Sequence, residues 1–152
     1  MRYRILAVGQ LKRGFYAEGC SFYLDRLQRM APAEVIEIKD GKDRDSDKRN
    51  VAESNSLLQQ ADGKVVVLDE RGKNFGSEEL AAIVSGWETE GVSRLSLLIG
   101  GANGHGPQLR EHAGAIWRLS DLTLPHELAR LVLLEQLYRI ETIRSGHPYH
   151  RA

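Results

Sequence analysis

Three segments in the last third of the sequence carry residue types and spacings that could do chemistry. They are a glycine-rich stretch at 99–107 (IGGANGHGP), an apolar connection at 119–126 (LSDLTLPH), and the tail at 145–152 (SGHPYHRA). Glycines allow a backbone to approach a ligand closely, and a buried connection needs partners for its backbone groups, which a ligand can supply. The aromatic, His and Arg side chains of the tail suit an RNA base and its phosphate. Simpler interpretations are a tight turn, a helix entry capped by Thr123, and a frayed chain end.

The common catalytic and nucleotide-binding motifs do not fit these segments. The glycines lack the spacing of a dinucleotide fingerprint, and Pro107 stands where a P-loop needs Lys and then Ser or Thr. There is no G-x-S-x-G nucleophile motif, and Cys20 lies in an amphipathic pattern typical of a small core residue. His147 and His150 could belong to a metal site, but no Cys or carboxylate stands beside them, so we expect no metal.

The secondary-structure elements that must position these segments are predicted to be alternating strands and helices. Apolar runs predict strands at 3–8, 35–39, 64–69, 94–99 and 115–119, and helical patterns cover 15–30, 47–61, 77–89, 107–112 and 127–144. This alternation predicts a single α/β domain over residues 1–152, with a mainly parallel sheet flanked by helices. Ligands of such sheets bind at the carboxyl ends of the strands, where the glycine-rich stretch is expected.

Several helix details can also be predicted. Ser77 is the expected N-cap of the third helix, and Gly146 is the expected C-terminal stop of the last. In the first helix, Phe15, Phe22 or Tyr23, Leu27 and Met30 fall near one face. The last helix has an apolar stripe of Leu128, Leu131, Leu134 and Tyr138, widened by Val132, Leu133, Leu137 and Ile140. Its second face is either a dimer interface or buried within the monomer.

Composition is that of an ordinary globular protein of the cytoplasm. The 152 residues are 41% hydrophobic and 28% charged, with one cysteine, which excludes a disulfide framework. The longest apolar run has five residues (80–84), whereas a membrane span needs about 18, so we expect no membrane segment. Lys plus Arg balance Asp plus Glu at 21 each, so the net charge does not indicate general electrostatic binding to nucleic acid. Arg and His concentrate in the last third, which has six Arg and all five His.

Taken together, the segments resemble the ribosomal RNA large subunit methyltransferase H (RlmH) family, small members of the SPOUT methyltransferases. The resemblance rests on 97–101 (LLIGG), 122–126 (LTLPH) and 147–151 (HPYHR), supported in order by 7–9 (AVG), 37–38 (EI), 68–69 (LD) and 137–139 (LYR). It covers essentially the whole chain. The pairing of T-L-P-H with H-P-Y-H-R is highly specific, whereas the glycine segment alone is not.

The resemblance implies a SPOUT-type fold with a C-terminal trefoil knot, a homodimer, and S-adenosylmethionine as cofactor. It implies N3-methylation of a pseudouridine in 23S ribosomal RNA within the assembled ribosome; the alternative is a ribosome- or RNA-binding module of the same fold without methyltransferase activity. By matching positions, the cofactor-binding residues would be Leu68, Gly100, Leu119, Ser120, Asp121, Leu122, Thr123 and Leu124. Leu68 would pack the adenine, a side chain at Gly100 would clash with the cofactor, and residues 119–124 would wrap the adenosine with backbone groups. Arg139, Tyr149 and His150, with Arg151, would face the RNA and the methyl group.

Overall fold

The computed structural model describes residues 1–101 and 104–151, and for His150 and Arg151 it describes the backbone only. The strands are β1 Arg2–Val8, β2 Ala33–Ile38, β3 Lys64–Asn74, β4 Arg94–Ile99 and β5 Ala115–Arg118. The helices are α1 Phe15–Gln28, α2 Ser46–Gln60, α3 Ser77–Thr89, α4 Pro107–His112 and α5 His126–Arg144, followed by a short 3-10 helix, Pro148–Arg151.

All the strands pair in parallel, in the order β2-β1-β4-β3-β5. Alternate residues of β1 enter two different cores, since Tyr3 and Ile5 face one side of the sheet and Leu6 and Val8 the other. Helices α1, α3 and α5 cover the first side, and α2 and α4 cover the second. Burial on both sides explains why the central strands are almost continuously apolar. The predicted α/β domain with a mainly parallel sheet is confirmed.

The third strand is longer than its composition predicts. It continues past Asp69 to Asn74, because Lys73 and Asn74 pair with Trp117 and Arg118 of β5 after an irregularity. These last residues are polar and largely exposed, so they lack the apolar run that marked the rest of the strand.

Two predictions for the helices of the first side were wrong. Gly76, not Ser77, is the N-cap of α3, and its N–H donates to the Glu79 carboxylate at 2.9 Å. Phe15 of α1 is 73% exposed, although the helical stripe placed it with the buried Leu27. Of the two alternatives Phe22 and Tyr23, Phe22 is 50% exposed and Tyr23 packs against the core. The face of α1 turned toward the sheet therefore excludes both phenylalanines.

The two faces of α5 are used differently. Leu133, Leu137 and Ile140 are buried within the monomer, so this part of the second face is not available to a partner. Leu128, Leu131 and Val132 are only half-buried. The helix ends as predicted at Gly146, whose φ is +74°, and the N–H of His147 closes the end on the Thr142 carbonyl at 2.8 Å. No helix in the described part of the chain is long and apolar enough to span a membrane.

Candidate active site

A cavity of about 710 Å³ opens at the carboxyl ends of β3, β4 and β5. This is the size range of pockets that hold small ligands. All but one of the predicted cofactor residues lie in its wall: Leu68, Gly100, Leu119, Ser120, Leu122, Thr123 and Leu124. Trp117 and Ile99 add apolar surface, while Asp69, Arg110, His105 and His126 add polar groups.

The glycine-rich loop closes on itself beside this cavity. The N–H of Gly104 donates to the carbonyl of Gly101 at 3.0 Å, and Gly104 has a φ of +75°, where glycine is favoured. A Cβ added at Gly100 would lie 2.7 Å from the carbonyl oxygen of Gly104. The expected clash of a Gly100 side chain therefore occurs first with the loop's own backbone, and the glycine shapes the wall before any ligand binds. Asn103 of this loop lies outside the described residues.

The connection between β5 and α5 supplies a second wall rich in free backbone groups. Among the described residues, the one partner of the N–H groups across residues 120–124 is Ser120 Oγ, which accepts from Leu122 at 2.9 Å. The side chain of Leu122 is 77% exposed. Unpaired amides beside exposed apolar surface fit a ligand with both a polar edge and an apolar face, such as an adenosine.

Asp121 is the predicted cofactor residue that is not in the cavity wall. Its carboxylate instead pairs with Arg118 at 2.8 Å, and its side chain is 75% exposed. The ion pair joins the last residue of β5 to the loop, so Asp121 holds the loop to the strand from the outer side.

His105 is a site residue that sequence reasoning left without a role. Its Nε2 lies 3.2 Å from the Leu98 carbonyl, and its Nδ1 is buried with no hydrogen-bond partner among the described residues. Burial lowers the pKa of this imidazole, an effect that the nearby Asp69 carboxylate opposes. Because a carbonyl can only accept, the neutral ring donates from Nε2, and Nδ1 is an acceptor in the wall. The sequence feature that could have indicated a role for His105 is its position directly after Gly104.

Asp69 and Arg110 form the second polar feature of the wall. Their side chains pair at 3.5 Å, with Asp69 in the middle of β3 and Arg110 in the last turn of α4. Asp69 also accepts from the N–H of Arg71 at 2.8 Å, which turns the chain out of the first half of β3.

Comparison with known proteins covers the whole chain. A family model described as predicted SPOUT methyltransferase matches residues 1–150. A protein of Synechococcus sp. named ribosomal RNA large subunit methyltransferase H is 46% identical over 151 residues, which cover 99% of this chain and 95% of that protein. Proteins of the same name from Thermus thermophilus and Brucella abortus are 43% and 37% identical, over at least 99% of both chains in each pair.

The chain belongs to the ribosomal RNA large subunit methyltransferase H family.

Solved structures show the SPOUT fold of this family member at lower identity. A methylase family protein from Haemophilus influenzae aligns with a TM-score of 0.56 and 10% identity, covering 97% of this chain and 69% of that one. A methyltransferase from Legionella pneumophila, solved in complex with the cofactor SAM, aligns with a TM-score of 0.51 and 12% identity, covering 91% and 66%. At these identities the likeness is one of fold.

Arg139 and Tyr149, two of the four residues predicted to face the RNA, lie together but outside the cavity wall. Glu135 of α5 accepts from Arg139 at 2.6 and 3.0 Å and from the Tyr149 hydroxyl at 3.0 Å. The Arg139 guanidinium also lies 4.9 Å from the centre of the Tyr149 ring. Neither Arg139 nor Tyr149 lines the cavity of its own chain. The side chains of His150 and Arg151 lie outside the described part of the chain.

The electrostatics of this cluster favour particular protonation states. The hydrogen bond to Glu135 raises the pKa of Arg139, which stays cationic. Burial, with hydrogen bonds to Tyr23 and Glu135, raises the pKa of the Tyr149 phenol. Tyr149 is therefore a proton donor near neutral pH. Within the described residues, no group of three or more His, Cys, Asp or Glu side chains is placed to hold a metal ion.

Proposed function

We propose that this protein transfers a methyl group from S-adenosylmethionine to N3 of a pseudouridine in 23S ribosomal RNA, acting on the assembled ribosome in the cytoplasm. The observation that carries the proposal is the cavity between the glycine-rich loop and residues 119–124 in a member of this family. The names of the full-length relatives support ribosomal RNA of the large subunit as substrate.

The cavity fits the parts of the cofactor. Leu68, Leu119 and Leu124 offer apolar contacts to the adenine. The N–H groups of residues 120–124 other than that of Leu122 offer donors to the ring nitrogens and the ribose hydroxyls. The bound cofactor supplies an electrophilic methyl on a sulfonium. The chain positions the base for in-line attack, and positioning of this kind provides much of the rate.

N3 of pseudouridine must lose a proton before or during attack. The candidates were His150 or Tyr149 as proton acceptor, or an arginine that stabilises the anion. The raised pKa of Tyr149 disfavours it as the acceptor, because its phenolate form is scarce near pH 7. We infer that Tyr149 donates a hydrogen bond, that Arg139 stabilises negative charge on the base, and that His150, the remaining candidate, accepts the N3 proton.

A homodimer would bring these residues to a cofactor cavity. Arg139 and Tyr149 are not in the cavity of their own chain, so a second copy must supply them if they are to meet the base. The exposed Phe15 and Phe22 of α1, beside the half-buried Leu131 of α5, provide an apolar surface for this contact. Gly19 and Leu131 already bring these two helices together, since a Cβ at Gly19 would lie 2.8 Å from Leu131 Cδ1.

The deciding experiment is transfer of radiolabelled methyl from S-adenosylmethionine to ribosomes from a strain lacking the protein, with the product nucleoside identified by mass spectrometry. We expect label on N3 of pseudouridine, and no label on ribosomes that already carry the modification. Label on another nucleoside would overturn the assignment of the base. No label, with S-adenosylmethionine failing to stabilise the protein thermally, would favour the RNA-binding module.

Removing the tail separates cofactor binding from transfer. A variant lacking residues 147–152 keeps every described residue of the cavity wall, so it should bind S-adenosylmethionine as the full chain does. We expect its methyl transfer to ribosomes to fall by at least about a hundredfold, the scale on which positioned polar groups act. Full activity of this variant would remove the tail from the mechanism.

A further inference from the structure

A second cleft opens at the same edge of the sheet, where β1 and β2 end. It has a volume of about 550 Å³ and is lined by Gly9, Gln10, Lys12, Arg13, Lys39 and Asp40. We call these six residues the basic cleft, since three cations face one carboxylate. Lys12, Arg13 and Lys39 are exposed, and none forms an ion pair or side-chain hydrogen bond with another described residue. Unpaired cations that converge on a concavity are suited to an anionic partner.

The loop that carries Lys12 and Arg13 is anchored to β2 and α5. Glu37 at the end of β2 accepts from the N–H of Leu11 at 2.8 Å and pairs with Arg130 of α5 at 2.6 Å. Arg130 is only 4% exposed, and it also donates to the Gly9 carbonyl at 3.0 Å. A buried arginine thus anchors both ends of this turn, so the two cations beyond it are pre-positioned and little ordering is needed on binding.

The basic cleft is close to the cofactor cavity and faces the same way. Because all the strands are parallel, β1, β4 and β3 end at one edge, and β1 lies two strand spacings, about 10 Å, from β3. Ala129 lines the cavity while the next residue, Arg130, anchors the turn of the basic cleft. An extended nucleic acid strand with one base at the cavity can therefore place a flanking phosphate over the cleft.

We propose that the basic cleft binds phosphates of the substrate RNA next to the target nucleotide. The inference rests on the proposed function, because it requires an RNA whose target base enters the cavity. Lys and Arg neutralise phosphates, and the exposed Gln10 amide can donate to a sugar or a base edge. The lining of the cleft contains no apolar side chain, which suits a hydrated phosphate backbone.

The test compares two variants that remove the same charge from opposite edges of the sheet. The double variant Lys12→Gln/Lys39→Gln removes two of the three cationic side chains of the basic cleft. Arg2→Gln/Arg29→Gln removes two exposed cations at the amino edge, where β1 begins and α1 ends. Each is assayed for ribosome binding over a salt series, for KM and kcat in methyl transfer, and for S-adenosylmethionine affinity.

We expect the cleft variant to raise KM for ribosomes about tenfold and to lower the slope of log affinity against log salt by about two, one for each lost phosphate contact. Its kcat and cofactor affinity should stay at wild-type values, and the amino-edge variant should match wild type throughout. An unchanged salt slope in the cleft variant, or the same loss in both variants, overturns the proposal. So does cleft-dependent binding to phosphatidylserine vesicles together with cleft-independent binding to ribosomes.

The outcomes also separate this inference from the proposed function. If wild-type protein transfers methyl to ribosomes but the cleft variant binds them equally well, the basic cleft fails alone. If wild type transfers no methyl while its ribosome binding still depends on the cleft, the methyltransferase assignment fails, and the cleft remains an RNA contact.

Discussion

At the scale of single residues, His105 links the cavity to the pH of the solution. Burial lowers the pKa of its imidazole, so the folded protein holds it neutral below the pH at which a free histidine is half protonated, about 6.5. As the pH falls through that value, the unfolded chain takes up a proton that the folded chain does not. The contribution of His105 to stability is therefore present above about pH 6.5 and is lost as the pH falls toward the lowered pKa of the folded state.

We predict that His105→Leu flattens the loss of stability on acidification. The free energy of unfolding, measured by urea denaturation between pH 7.5 and 5.5, should fall less in this variant than in wild type. His112→Leu changes an exposed histidine of α4 and serves as the control. A slope with pH that is equal in His105→Leu and wild type would mean that burial does not perturb this imidazole.

Glu135 is a residue whose importance the sequence did not reveal. It accepts hydrogen bonds from Arg139 and from Tyr149, two residues found through the resemblance. We predict that Glu135→Gln, which keeps the shape but removes the charge, lowers the free energy of unfolding by about 1 kcal/mol. Urea denaturation measures this, with Glu111→Gln on the exposed surface of α4 as control. Equal stability of the two variants would show that the cluster is held by ring packing alone.

Gly100 shows how far residue types alone could predict the site. The glycines predicted close approach of the backbone to a ligand, and the resemblance implied a clash between a Gly100 side chain and the cofactor. Both stay predictions, and neither indicated that the loop's own backbone would exclude the side chain. That depends on the return of Gly104 to within 2.7 Å of a Cβ at Gly100, which is a tertiary contact. Likewise, nothing in the spacing of Asp121 distinguished it from its neighbours, and its turn toward Arg118 follows from the end of β5.

At the scale of elements, alternation of apolar runs and helical patterns was sufficient for all the strands and helices that the structure describes before the tail. The second half of β3 was missed because its residues are polar and are held by pairing with β5 rather than by burial. Phe15 was misplaced for a related reason: it is the first residue of α1, ahead of the turns that the core covers. Apolar patterns in a sequence indicate which residues are buried. They do not predict residues that are held by strand pairing or that lie at the end of a helix.

Two glycines in neighbouring elements should respond oppositely to alanine. A Cβ at Gly72, within the irregular part of β3, would lie 2.7 Å from backbone carbon of Trp117, so Gly72→Ala should destabilise the protein by about 1–3 kcal/mol. Gly86 lies inside α3, and a Cβ added there would meet no atom within 4 Å beyond the adjoining helix backbone, so Gly86→Ala should stabilise by about 0.5–1 kcal/mol. Thermal or urea unfolding measures both. Destabilisation by both would contradict the open surroundings of Gly86.

At the scale of the whole molecule, a net charge of zero does not show that positive and negative side chains are unevenly distributed. Residues 1–50 carry eleven Lys and Arg against eight Asp and Glu. The fold brings three of those cations, Lys12, Arg13 and Lys39, to the edge of the sheet that holds the cavity. Composition could not predict this, because it depends on β1 and β2 ending side by side. The trefoil knot came only from the resemblance. The homodimer came from the resemblance and was one interpretation of the second face of α5, and both stay predictions.

The dimer can be tested by mixing two variants, each lacking a different part of the site. Gly100→Val should disable the cavity, and the variant lacking residues 147–152 lacks the tail. If the tail of one subunit completes the cavity of the other, a mixed dimer contains one intact site, formed by the normal cavity and the normal tail. Free exchange of subunits makes half of all dimers mixed, so a mixture of two inactive proteins should regain about a quarter of wild-type activity.

The same mixture is inactive if each tail serves the cavity of its own chain, because every chain then lacks one part. Methyl transfer to ribosomes, measured after co-refolding equal amounts of the two variants, distinguishes these arrangements. Size-exclusion chromatography of each variant alone must show the wild-type assembly, which ensures that exchange is possible. Recovery of activity would agree with the position of Arg139 and Tyr149 outside the cavity wall of their own chain. Absence of recovery from correctly assembled dimers would require the tail to move away from Glu135 and reach the cavity within one chain.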